Sequence, residues 1–95
     1  MADMTDRVIF ELSSGWAFGY DDLQWIVFRR RNFRTQQGWK ALAFIASNKG
    51  ILRRVLKEMA IQPNPEAVDY LDAMPNTFKE WLHWHKTVQP KRWAA

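Results

Sequence analysis

"WIVFRRRNFRTQQGWKALAF", residues 25–44, decides how this chain is read. It holds five Lys/Arg, five aromatic residues and no acid. Its first part belongs to "LQWIVFRRR" (Leu23–Arg31), which is β-branched and aromatic and free of Gly and Pro, the composition of a strand. Alternation sets Leu23, Trp25 and Val27 on one face and Ile26 and Phe28 on the other. Both faces are apolar over the first half, which predicts a central strand covered on at least one side. "NFRTQQG" (Asn32–Gly38) is a polar hairpin connection, and "WKALAFIAS" (Trp39–Ser47) is the returning strand.

Working outward toward the N-terminus, "RVIFEL" (Arg7–Leu12) reads as a short strand and "SSG" (Ser13–Gly15) as a turn. "WAFGYD" sets Trp16, Phe18 and Tyr20 on one face against the small Ala17 and Gly19, where another backbone or a ligand can approach closely. Toward the C-terminus, Ser47 or Asn48 caps a helix carrying Ile51, Leu52, Val55, Leu56 and Met59 as its apolar stripe, ended by Pro63. Asn64, Pro65 and Glu66 open a second helix, stopped by Pro75. "TFKE" (Thr77–Glu80) fits a capping box for a third, with Phe78, Trp81, Leu82 and His85 on one face. Strands first and helices after define an α+β fold: an antiparallel sheet of three to four strands followed by two to three helices packed on one face. Residues 1–95 make one domain, with 1–6 and 87–95 as flexible ends.

The chain has no Cys, which removes disulfides, thiolate metal sites and a cysteine nucleophile. It shows neither a signal-peptide pattern nor an apolar run long enough to span a bilayer, so no membrane partner and a cytoplasmic setting are expected. Nothing in the sequence has the pattern of catalysis. The glycines are scattered and form no phosphate loop. His83 and His85 lie two apart and diverge on a helix. Asp69 and Asp72 are an ordinary solvated pair. A non-enzyme without cofactor or metal is expected.

Charge is the informative feature. Residues 1–22 carry one Arg and five acids; residues 23–57 carry nine Lys/Arg and no acid; residues 58–95 carry four Lys/Arg and five acids. The central block calls for an anionic partner, nucleic acid or an acidic protein surface, unless the acidic N-terminal part folds against it and cancels it. Arg29, Arg30, Arg31 and Arg34 lie at a strand end and hairpin tip, with Lys40 just across. Arg29 and Arg31 share one face and Arg30 takes the other. Guanidinium forks suit phosphate, and Phe33 at the tip can stack on a base. Lys49, Arg53 and Lys57 form a second cationic line along the first helix, either ligand-facing or merely solvated. Trp84 and Trp93 fall off any apolar stripe and are candidates for a protein interface, and homo-oligomerisation is a further possibility.

Trp25–Arg31, Gly38-Trp39-Lys40 with Phe44, Leu52-Arg53-Arg54 and "MPNTFKEW" (74–81) together resemble small uncharacterised proteins carried by bacteriophages and prophages. The resemblance covers roughly residues 23–82 and carries no catalytic motif. It implies a regulator, a DNA-binding accessory or an inhibitor of host defence, anti-CRISPR-like in kind; a small assembly subunit is a separate alternative. The element order also looks like the three-stranded DNA-binding domains of phage integrases, from which this chain departs by adding two helices.

Overall fold

A computed structural model of the chain describes residues 7–30 and 38–87. The order is β1 (Val8–Ser13), β2 (Trp16–Tyr20), β3 (Trp25–Arg30), β4 (Trp39–Ile45), α1 (Lys49–Glu58), α2 (Pro65–Ala73) and α3 (Phe78–Thr87). The four strands form one antiparallel sheet in sequence order, followed by the three helices, so the α+β expectation holds. The connection at 31–37 and the segments 1–6 and 88–95 lie outside the described residues.

β3 is one of the two inner strands, and Trp25, Ile26, Val27 and Phe28 are all fully buried. Trp25 and Val27 join the main core with Leu12, Phe18 and Ile45 from the sheet and Leu52, Leu56, Tyr70, Leu71, Phe78 and Trp81 from the helices. Ile26, Phe28 and Ala17 form a second buried cluster on the opposite face, flanked by Val8, Trp39 and Ala41. The small face of β2 is used as its composition predicts. A Cβ on Gly19 would lie 2.1 Å from the Arg7 carbonyl oxygen and 2.6 Å from Phe28. There it is the chain's own backbone that approaches closely.

Local chemistry fixes the helices. The Asn48 side chain accepts the Ile51 amide at 3.0 Å, and that of Asn64 accepts the Ala67 amide at 2.8 Å, with Pro65 at the first helical position. The Thr77 hydroxyl accepts the Glu80 amide at 3.2 Å and donates to its carboxylate at 2.9 Å, which realises the capping box in a local form. The first helix ends earlier than Pro63 requires. Ala60 takes a left-handed φ of 58°. The Ala60 and Ile61 amides donate to the Lys57 and Leu56 carbonyls at 3.0 and 2.9 Å. This is the Schellman pattern, normally served by glycine.

Tertiary ties orient the helices on the sheet. The Asn64 amide donates to Leu12 O at 2.6 Å, anchoring the start of α2 at the end of β1. The Lys49 amide donates to Asn76 O at 2.7 Å and the Phe78 amide to Ser47 O at 3.2 Å, joining the starts of α1 and α3. Trp81 Nε1 donates to the buried Tyr70 hydroxyl at 3.1 Å, and burial pushes that phenol up to about 12. Trp25 Nε1 is buried with no acceptor among the described residues, its ring edge-on to Phe78 and Trp81.

Candidate functional site

The cationic strand end is built by register. β3 pairs with β2 so that Trp16 faces Arg29, and with β4 so that Arg29 faces Lys40 and Arg30 faces Trp39. Alternation then sends Arg29 and Arg30 to opposite faces of the sheet, as the sequence predicts. Each guanidinium lies over an indole: Arg29 at 5.0 Å from the Trp16 ring and Arg30 at 4.9 Å from the Trp39 ring. Such stacking holds a long side chain in place while leaving its donors outward.

The two arginines differ in charge balance. Arg30 is paired with Glu11 at 2.5 Å, so one acid of the N-terminal segment does cancel one cation of the block. Arg29 and Lys40 are both exposed and directly opposite each other, and neither pairs with an acid among the described residues. Like charges facing across a strand pair are unfavourable. The fold accepts that cost at a site where a counter-anion would relieve it.

Beside this pair the β1–β2 turn closes a polar pocket of about 440 Å³, lined by Glu11, Ser14, Gly15, Trp16, Arg29 and Arg30. The Arg30 amide donates to Gly15 O at 2.9 Å, so turn and strand end are fixed to one another. Trp16 and Glu11 were not among the predicted site residues. No local pattern points to them, because their place beside the arginines follows from strand order. Arg31, Phe33 and Arg34 lie outside the described residues.

The helical cations behave differently from a ligand-facing line. Lys49 Nζ donates to the carbonyls of Leu71, Asp72 and Met74 at 3.0, 3.2 and 2.8 Å. These are orphan acceptors at the C-terminus of α2, and the ammonium caps them at the negative end of the helix. Burial, then the nearby Arg53, lower the Lys49 pKa, and Asp72 partly offsets them. Arg53 is ion-paired with Asp72. Lys57 is exposed and has no acid partner among the described residues.

Trp84 is half-buried, edge-on to Tyr70 at 5.6 Å, rather than fully exposed, because α3 rolls that flank toward α2. Trp93 lies outside the described residues. His85 stacks on Trp81 at 4.8 Å, while His83 is exposed. Among the described residues no group of three metal-ligating side chains gathers, and no helix is long and apolar enough to cross a membrane. Comparison with protein-family models, curated protein sequences and solved structures found no match to the chain.

Proposed function

We propose that the protein is a small non-catalytic, phage-type binding module that grips nucleic acid through phosphate contacts at the end of its sheet. One observation carries the reading: Arg29 and Lys40 face each other with no acid partner among the described residues, and Arg29 is held over Trp16. A phosphate between them satisfies both cations, and the guanidinium fork supplies two donors to it. Arg30 contributes less, because Glu11 already occupies it. Arg31, Phe33 and Arg34, which come next in the sequence, are the further candidates for the same partner.

The test is a titration of the intrinsic Trp signal with single- and double-stranded DNA and RNA, at low salt and again at about 200 mM. Trp16 and Trp39 lie under the arginines and report binding directly. Micromolar or tighter binding that collapses with salt supports the reading. A flat titration at low salt sinks it.

A second reading is a protein-binding inhibitor, and one observation favours it. β4 is an edge strand of the sheet, and Leu42 and Phe44 are exposed on it. An acidic partner face would then meet the same cations, and pull-down from a host lysate would recover it with no nucleic-acid affinity in parallel.

A further inference from the structure

The nucleic-acid reading at the sheet end uses none of the helical cation line. Arg53 and Lys57 stand on one rim of a groove of about 340 Å³ between α1 and α2. Its floor is apolar: Leu56, Ile61 and Leu71 are buried core residues, and Val68 closes the α2 side. The groove owes its shape to the left-handed turn at Ala60, which folds Ile61 back against the end of α1. A non-glycine residue at positive φ is strained, and such strain gathers at binding sites.

The charge of the rim is one-sided. Asp72 also lines the groove but is taken by Arg53, so that among the described residues Lys57 is the charge of the rim with no acid partner. An apolar floor beneath an unpaired ammonium is complementary to a ligand with an apolar body and a single anionic head. The volume falls at the small end of ligand pockets, roughly 300–1,000 Å³. The surroundings do not offer a protein-sized contact. Of the large exposed apolar residues among those described, only Val68 lines the groove; Ile51 is in the first turn of α1 outside the lining, Leu42 and Phe44 are on β4, and Leu23 precedes β3. A stable protein interface needs about 800 Å² per partner.

We infer that the α1–α2 groove binds a small amphipathic carboxylate, its chain on Leu56, Ile61, Val68 and Leu71 and its head on Lys57. The inference is independent of the nucleic-acid reading, which uses the sheet end.

The test is a methyl NMR titration of the full chain with sodium octanoate, with 1-octanol as the uncharged counterpart. The expected result is saturable shifts at Ile61, Val68, Leu56 and Leu71, with octanol and Lys57→Gln each weakening binding at least about fivefold. Val68→Glu, at an exposed position, abolishes the shifts while the circular dichroism spectrum is retained. Arg29→Glu leaves octanoate binding unchanged. No saturable shift at those methyls overturns the inference. So does octanol binding as tightly as octanoate, or an unaltered response in Lys57→Gln. An acidic-apolar peptide that occupies the groove when octanoate does not would likewise overturn the small-ligand assignment.

Discussion

Two cationic clusters that look alike in the sequence do different work in the fold. On α1, Lys49 is consumed by three carbonyls at the end of α2, and Arg53 by Asp72. At the sheet end, Arg29 and Lys40 are set against each other with an indole as support, and neither pairs with an acid among the described residues. The difference teaches that a run of positive charge is evidence for a partner only after the internal acceptors have been counted. Helix C-termini are such acceptors, and they leave no mark in the local sequence of the lysine that caps them.

The comparison can be broken from either side. Arg29→Glu with Lys40→Glu is expected to have the largest effect, lowering nucleic-acid affinity about 100-fold or more at low salt, since two phosphate contacts turn repulsive. Stability should fall by no more than about 1 kcal/mol, the loss of the Arg29–Trp16 stack, because neither residue is buried or acid-paired among the described residues. Lys49→Met should do the reverse. Loss of the α2 cap is expected to cost about 1–2 kcal/mol in urea unfolding, with affinity held within about twofold. An affinity loss as large as that of the sheet-end pair would erase the distinction.

Smaller effects sharpen it. Ala60→Gly relieves a left-handed alanine and should stabilise by up to about 1 kcal/mol. Arg29→Lys keeps the charge and loses the planar fork over Trp16, so nucleic-acid affinity should fall a few-fold with little change in salt slope. A double-mutant cycle on Arg53 and Asp72 should return about 0.5 kcal/mol or less, since both side chains are more than half exposed.

The elements were legible because their signals are local. Trp25–Phe28 is apolar on both faces and lies in one of the two inner strands, and Asn48, Asn64-Pro65 and Thr77 start their helices as their chemistry demands. Gly19 announced a close backbone approach, and the Arg7 carbonyl supplies it. The end of α1 was not legible. Pro63 is the evident breaker, but an alanine in the left-handed region stops the helix at Glu58. The extra residue Leu42 in β4, which shifts the register between Ala41 and Ala43, also has no sequence mark. In the site, the opposite faces of Arg29 and Arg30 were readable from alternation alone. Their Trp supports, the Glu11 pairing and the capture of Lys49 depend on which strands and helices become neighbours, and periodicity carries no information about that.

The most direct measurement is the slope of log affinity against log salt for a single-stranded oligonucleotide, compared across three proteins: the unaltered chain, Arg29→Gln with Lys40→Gln, and Lys49→Gln with Arg53→Gln. Removing one cation–phosphate pairing lowers the slope by about 0.7 on a single strand. The account predicts a drop of about 1.4 for the sheet-end pair and none for the helix pair, each checked to be folded. A drop in the helix pair with none at the sheet end would contradict it.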